Sequence, residues 1–109
     1  MNKIFKEVLK ETKRQKENWG VKNHPILDPS LTHWGGQKMC QRYGIPSEGD
    51  AQKATNKRAK RGDLTYMDIL VEEISEASSA SNISELREEL IQSTAVLFSM
   101  IESLDRNGR

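Results

Sequence analysis

Apolar side chains recur every three or four residues over residues 2–18, which is the period of a helix with one apolar side. The members of this stripe are Ile4, Phe5, Val8, Leu9 and Trp19. Lysine and glutamate fill most of the other positions, and Gly20 is a typical stop signal. The pattern predicts an amphipathic helix that packs through its apolar side.

Two further apolar stripes of helical period lie near the C-terminus, separated by a polar break at residues 78–81. The first runs over about 64–80 and consists of Met67, Leu70, Val71, Ile74 and Ala77. The second runs over 83–106 and consists of Leu86, Leu90, Leu97, Ile101 and Leu104. Each is expected to be buried along one line of its helix.

The ends of these two helices carry their own signals. Thr65 with Asp68 predicts a capping box, Asn82 with Glu85 a second N-cap, and Gly108 a stop after the last helix. Because few residues join the helices, they are predicted to pack antiparallel as a hairpin over about 64–106.

The middle of the chain has weaker signals. Residues 20–46 are predicted to form a long loop, since two prolines and two glycines within residues 21–37 interrupt any period, with a short helix over 36–43. Residues 47–61 suit a helix but have few apolar anchors, so we expect it to be exposed or to become ordered when a ligand binds. With no strand pattern or repeat, the fold class expected is all-α, a helical bundle in a single domain over 1–109.

Composition limits the kind of protein. With 109 residues, 35% of them hydrophobic and 30% charged, the chain makes one small domain that self-association would help to stabilise. No apolar run approaches the roughly 20 residues that span a bilayer, so no membrane partner is expected. No apolar signal-peptide segment is present, and the single Cys40 cannot form an internal disulfide, which together predict a cytoplasmic protein.

Charge divides the chain into two halves. Residues 1–61 carry 14 Lys and Arg against 6 Asp and Glu, whereas residues 62–109 carry 3 against 10. Two explanations are open at this stage: neutralisation of one half by the other, or a ligand that needs both signs, such as a metal-bound polyphosphate.

Acidic residues on the two helices of the predicted hairpin lie at nearly the same distance from the turn. Counted outwards from residue 82, Glu76 is six residues before it and Glu89 seven after, while Glu73 is nine before and Gln92 ten after. Each of the four borders apolar positions of its own helix. Carboxylates this close repel one another unless a cation such as Mg²⁺ joins them. The alternative is that they are ordinary solvent-facing charges.

These residues also carry a resemblance. The segment EEISE (residues 72–76), followed after twelve residues by Glu89, resembles the EExxE…ExxD signature of MazG-like, all-α nucleoside triphosphate pyrophosphohydrolases. The segments RQKENWGVKNHP (14–25) and ELIQSTAVLFSMIESLDR (89–106) are similar to a subgroup of small MazG-like proteins.

The resemblance implies a dimeric or tetrameric bundle that binds Mg²⁺, with Mn²⁺ as a substitute. Such enzymes hydrolyse a nucleotide between its α and β phosphates to monophosphate and pyrophosphate. It assigns Glu73, Glu76 and Glu89 as metal ligands, and Glu72 and Glu88 as outer or second-metal groups. For the reaction itself, Glu76 or Glu73 is the candidate to activate the water, so these two are the predicted catalytic residues. Gln92 takes the place of the final Asp of the signature. It is predicted to belong to the metal site through its amide carbonyl oxygen or a hydrogen bond to a metal-bound water, although it lacks the charge of that ligand.

A basic segment, KATNKRAKR (53–61), is assigned to the triphosphate. The cations that would close over the phosphates are Lys53, Lys57, Arg58 and Arg61. A solvated helix face is the alternative, and nucleic-acid binding is disfavoured because no aromatic residues are interleaved. Trp19, Asn23 and His24 are candidate base or phosphate contacts, although for Trp19 and Trp34 the favoured interpretation is that they anchor the loop to the core. The competing function is a non-catalytic helical module for nucleotide sensing or protein interaction.

Overall fold

The computed structural model of the protein describes residues 2–21, 23–31 and 37–109. In these ranges the chain forms α1 (Lys3–Trp19), α2 (Gln37–Arg42), α3 (Glu48–Arg61), α4 (Tyr66–Ser78) and α5 (Ile83–Asn107). Helices account for 74% of these residues, and none of them is in a strand. The all-α prediction is confirmed. Over the same ranges, no helix combines the length and apolar character needed to cross a membrane.

Local sequence signals set the helix ends. At the start of α4, the Asp68 N–H donates to Thr65 Oγ1 at 3.2 Å, and the Thr65 N–H donates to Asp68 Oδ2 at 3.0 Å. At the start of α5, Asn82 Oδ1 accepts from the Glu85 N–H at 2.8 Å. Gly108 ends α5 with a φ of 70°, a left-handed conformation that glycine adopts without steric cost. These predicted caps are confirmed.

The central helix is α4, which packs along α5 on one side and against α3 and α2 elsewhere. Only residues 79–82 separate α4 from α5, so the two run antiparallel as the predicted hairpin. Helix α1 lies against the C-terminal part of α5, where Ile4, Val8 and Ile101 line a shallow groove between them.

The buried interior consists mainly of small side chains. Its apolar members are Ile4, Met39, Cys40, Ala51, Ala77, Ala80 and Leu86. Four serines are buried as well: Ser75, Ser78, Ser93 and Ser103. The Ser93 hydroxyl donates to the Glu89 carbonyl at 2.9 Å within its own helix, whereas the buried Ser75 Oγ has no hydrogen-bond partner among the described residues. Small residues at the helix contacts let the α4 and α5 backbones approach closely.

Burial of the complete apolar stripes was the wrong expectation for the single chain. On α5 only Leu86 is buried, whereas Leu97 and Leu104 remain 45% and 57% exposed. On α4 Met67 is 55% exposed, and on α1 only Ile4 is buried. The physical reason is that the buried cluster of α4 and α5 is built on Ala77, Ala80 and Leu86. Among the described residues, no element covers the larger side chains of the stripes.

Helix α3 is folded against α4. Its Ala51 is buried, and Arg58 Nη1 lies 3.1 Å from Asp68 Oδ1 on α4. Most of its other residues are exposed, as predicted. The loop before α2 is also tied locally, because Asp28 accepts from the Ser30 N–H and from Arg42 Nε at 2.8 Å.

Candidate metal centre

Three acidic side chains converge where α4 and α5 face each other. One carboxylate oxygen from each of Glu73, Glu76 and Glu89 lies within 4.8 Å of the others. All three residues are half-buried. The three-residue spacing puts Glu73 and Glu76 on the same side of α4. On α5, Glu89 follows the buried Leu86 at the same spacing, which turns its side chain towards α4.

Burial and the neighbouring carboxylates raise the pKa values of two of these acids. Burial raises the pKa of Glu76 to about 7, helped by a hydrogen bond with Glu89 and by the charge of Glu73. Burial also raises the pKa of Glu73, and the charges of Glu89 and Glu72 act in the same direction. At neutral pH the cluster therefore shares a proton unless a cation replaces it.

Two carboxylate oxygens of the cluster have no hydrogen-bond partner among the described residues. Glu73 Oε2 and Glu89 Oε2 are buried, and neither has a hydrogen-bond partner among the residues that the structure describes. Buried anionic oxygens without donors are costly, and a hard divalent cation satisfies them. Ligands of one Mg²⁺ lie at roughly 2.1 Å from the ion, so small side-chain rotations would bring the three groups to it. The donor set fits the ion.

The other predicted groups of the site differ in position. Glu72 is half-buried, and its charge contributes to the raised pKa values of Glu73 and Glu76, so it adjoins the cluster. Glu88 and Gln92 lie on exposed positions of α5. Gln92, at the place of the signature aspartate, is thus more exposed than the three carboxylates.

The predicted phosphate-binding cations lie on α3. Lys53 and Lys57 are exposed. Arg58 is paired with Asp68, and Arg61 Nη2 lies 3.2 Å from Asp63 Oδ2. Asp68 precedes Glu73 by five residues, or about 7.5 Å along the helix axis. Arg58 is therefore engaged at the first turn of α4, between one and two turns from Glu73, and Arg61 is engaged in the connection before α4.

The predicted base contacts lie outside the cluster that the structure brings together. Asn23 and His24 are exposed, and Trp19 is 60% exposed with the Arg14 guanidinium 5.7 Å from its ring centroid. Trp34 lies outside the described residues.

Sequence reasoning missed the anchor that holds α2 beside the acids. Cys40 is fully buried, and its Sγ lies 3.6 Å from the Ser75 carbonyl oxygen and 3.4 Å from Ser79 Oγ on α4. Met39 beside it is buried as well. The only signal was this apolar pair in an otherwise polar short helix.

No protein-family model matches the chain, and the searches of curated proteins and of solved structures found no significant match. The similarity to MazG-like enzymes therefore rests on the motifs in residues 14–25 and 63–106.

Proposed function

We propose that this protein is a MazG-like nucleoside triphosphate pyrophosphohydrolase that depends on Mg²⁺, or on Mn²⁺ as a substitute. It would cleave its nucleotide between the α and β phosphates to give monophosphate and pyrophosphate, in the cytoplasm. The observation that carries the proposal is the convergence of Glu73, Glu76 and Glu89 within 4.8 Å. The two unsatisfied oxygens of Glu73 and Glu89 support a cation there.

The residues divide the chemistry between them. Glu73, Glu76 and Glu89 would hold the cation, and the bound cation would supply neutralisation of the phosphate charge and polarisation of the scissile phosphorus. Water adds to that phosphorus while the bond between the phosphorus and the bridging oxygen breaks. Pyrophosphate leaves with the electron pair of the broken bond. Glu76 or Glu73 accepts the proton of the water.

Phosphate binding falls to the basic helix α3. Lys53 and Lys57 are exposed on its surface and available to a triphosphate. Arg58 and Arg61 would have to exchange Asp68 and Asp63 for phosphate oxygens, which bind guanidinium groups at least as well. Trp19, Asn23 and His24 are proposed as contacts to the base or phosphates, and Glu72 and Glu88 as outer acids.

A second function is favoured by one observation. Gln92 is neutral and exposed where the signature places an anionic ligand, and loss of that charge weakens a metal site. The same bundle would then serve as a non-catalytic module for nucleotide sensing or protein interaction.

Self-association is part of the proposal. The chain leaves a line of large apolar side chains uncovered on α5, including Leu90, Leu97 and Leu104 at 37%, 45% and 57% exposure. Such a line is typical of a helix that packs against another subunit. We therefore propose a homodimer or homotetramer.

The decisive experiment measures pyrophosphate release. Purified protein is incubated with canonical and modified nucleoside triphosphates in Mg²⁺ or Mn²⁺, and a Glu76→Ala variant is compared with a Glu48→Ala control. Glu48 is an exposed acid on α3. We expect at least one substrate to be cleaved, with activity abolished by Glu76→Ala and retained by the control. Equal turnover in both variants would refute the catalytic role, and no turnover with any substrate would favour the non-catalytic module.

A further inference from the structure

Residues 23–31 form a connecting segment that reaches the turn end of the α4–α5 hairpin. Leu27 is half-buried and packs against the apolar cluster of Ala77, Ala80 and Leu86. These three residues lie on either side of the connection between the two helices or within it. An apolar contact therefore holds the segment at the turn end of the hairpin.

An ion pair ties the same segment to α2. Arg42 Nε donates to Asp28 Oδ2 at 2.8 Å, and the Asp28 side chain is only 18% exposed. Asp28 Oδ1 also accepts from the Ser30 N–H at 2.9 Å and from the Ser30 hydroxyl at 2.7 Å. Arg42 is the last residue of α2, which is itself anchored on α4 through Cys40. The segment thus has two attachments, one to the hairpin directly and one through α2.

The apolar attachment lies close to the three converging glutamates. Ala77, which Leu27 contacts as part of the cluster, follows Glu76 directly along α4. His24 precedes Leu27 by three residues, a length of chain that spans at most about 11 Å. A nucleotide extends beyond its phosphates by a sugar and a base. This stretch therefore lies within the span of a nucleotide whose phosphates are held at the glutamates.

The chemistry of the segment suits the base of a nucleotide better than its phosphates. Residues 23–31 contain no lysine or arginine, and the charge of their one acid, Asp28, is paired inside the chain. Asn23 and His24 are exposed and supply hydrogen-bond donors and acceptors. Ile26 beside them is 66% exposed and offers apolar surface. Phosphates are bound mainly by cations, whereas hydrogen-bonding and apolar groups of this kind recognise a base.

We propose that Leu27 and the Asp28–Arg42 pair are positioning residues for the bound nucleotide. They hold the segment at the turn end of the hairpin, so that its exposed Asn23 and His24 contact the base. This inference rests on the proposed function and deepens it, because it assigns base recognition to the segment and leaves phosphate binding to the metal site and the basic helix. Leu27 and Arg42 act through the segment and make no contact with the nucleotide themselves.

Calorimetric titration of the full chain separates binding of the base from binding of the phosphates. One set of probes is the α,β-methylene analogues of ribo- and deoxyribonucleoside triphosphates with each standard base, which resist cleavage between the α and β phosphates. The other probe is inorganic triphosphate, which has no base. With Mg²⁺ present, we expect the best analogue to bind the wild type at least about tenfold more tightly than inorganic triphosphate.

Three variants test the assignment. Arg42→Ala removes the ion pair, Leu27→Ala removes the apolar contact, and His24→Ala removes a side chain of the segment itself. We expect each to weaken binding of the best analogue by about fivefold or more, while inorganic triphosphate and Mg²⁺ alone bind within about twofold of the wild type. Circular dichroism checks helicity, and His24→Ala at an exposed position tests the proposal even where Leu27→Ala unfolds the chain.

Two further variants serve as controls. Arg42→Lys keeps a cation beside Asp28, so it should recover most of the analogue binding that Arg42→Ala loses. Arg106→Ala is the matched control for loss of an arginine, because Arg106 is exposed in the last turn of α5, about 25 Å along the helix from Glu89. It should bind both probes as the wild type does.

Other results overturn the inference. Equal weakening of the analogue and of inorganic triphosphate would mean that the segment supports the whole site and does not recognise the base. Unchanged analogue binding in His24→Ala and Arg42→Ala would mean that the segment does not serve the nucleotide. A wild type that binds neither probe with Mg²⁺ would contradict the proposed function as well. The expected binding pattern without pyrophosphate release from the parent nucleotides would support this inference and refute only the hydrolysis.

Discussion

Glu76 holds its carboxyl between two other acids in a half-buried position, and this makes the stability of the protein depend on pH. Its pKa rises from 4.5 to about 7 on folding. Between those values the folded chain holds the proton more tightly than the unfolded chain does. Stability is therefore highest at low pH within this window and falls as pH rises through it.

We predict that, without divalent cations, the free energy of unfolding falls by about 2 kcal/mol between pH 5 and pH 8. Urea denaturation at each pH measures it. Glu76→Gln should flatten this dependence and raise stability at pH 8, since the amide keeps the shape without the charge. Added Mg²⁺ should stabilise the wild type more at pH 8 than at pH 5. An unchanged slope in Glu76→Gln would show that another group titrates.

Substitution of Gln92 tests whether its amide limits Mg²⁺ binding and pyrophosphate release. Replacing it by Asp restores the anionic group of the signature on an exposed position of α5. We predict roughly tenfold tighter Mg²⁺ binding, within the range that groups around a metal contribute, and faster pyrophosphate release. Calorimetric titration with Mg²⁺ and the pyrophosphate assay measure the two effects. Unchanged values would show that the amide is not the limiting difference.

At the scale of the elements, the first turn of α4 depends on Thr65 and Asp68, which exchange hydrogen bonds across the cap. We predict that Thr65→Ala lowers the free energy of unfolding by about 1 kcal/mol. Thr12→Ala is the control, because that exposed hydroxyl only donates to the Val8 carbonyl inside α1. Chemical denaturation of both variants measures the difference, and equal stability would exclude a contribution from the cap.

The elements were predictable because their signals are local. Helical period, the Thr65 and Asn82 caps and the four-residue connection fix the α4–α5 hairpin, and the rise per residue then aligns Glu76 with Glu89. The partner of Arg58 could not be predicted in this way. Its pairing with Asp68 depends on how α3 lies on α4, which no neighbouring residue encodes.

At the scale of the whole molecule, the sequence pattern predicted which side of each helix is apolar. It did not predict which of these apolar sides is buried within a single chain. Leu86 is buried and Leu97 is exposed, although both belong to the predicted stripe of α5. Ser75 and Ser93 are buried in places where the pattern suggested polar surface. The hydrophobicity of a side chain indicates how much its burial would stabilise the protein. Which side chains lie in the helix–helix contact here depends instead on their size. A second copy would restore burial to the remaining stripe positions.

Cys40 allows the contact between α2 and α4 to be probed without an engineered labelling site. Its thiol is fully enclosed beside Ser75 and Ser79, so a thiol reagent can reach it only while α2 is detached. We predict that modification is slow and that a nucleotide with Mg²⁺ slows it further, because ligand held by Glu76 on the same stretch of α4 favours the closed form. Rates followed by mass spectrometry would report that opening. The modification rate of this single cysteine thereby reports motion next to the acids, and a rate insensitive to nucleotide would mean that the α2–α4 contact and the acids move independently.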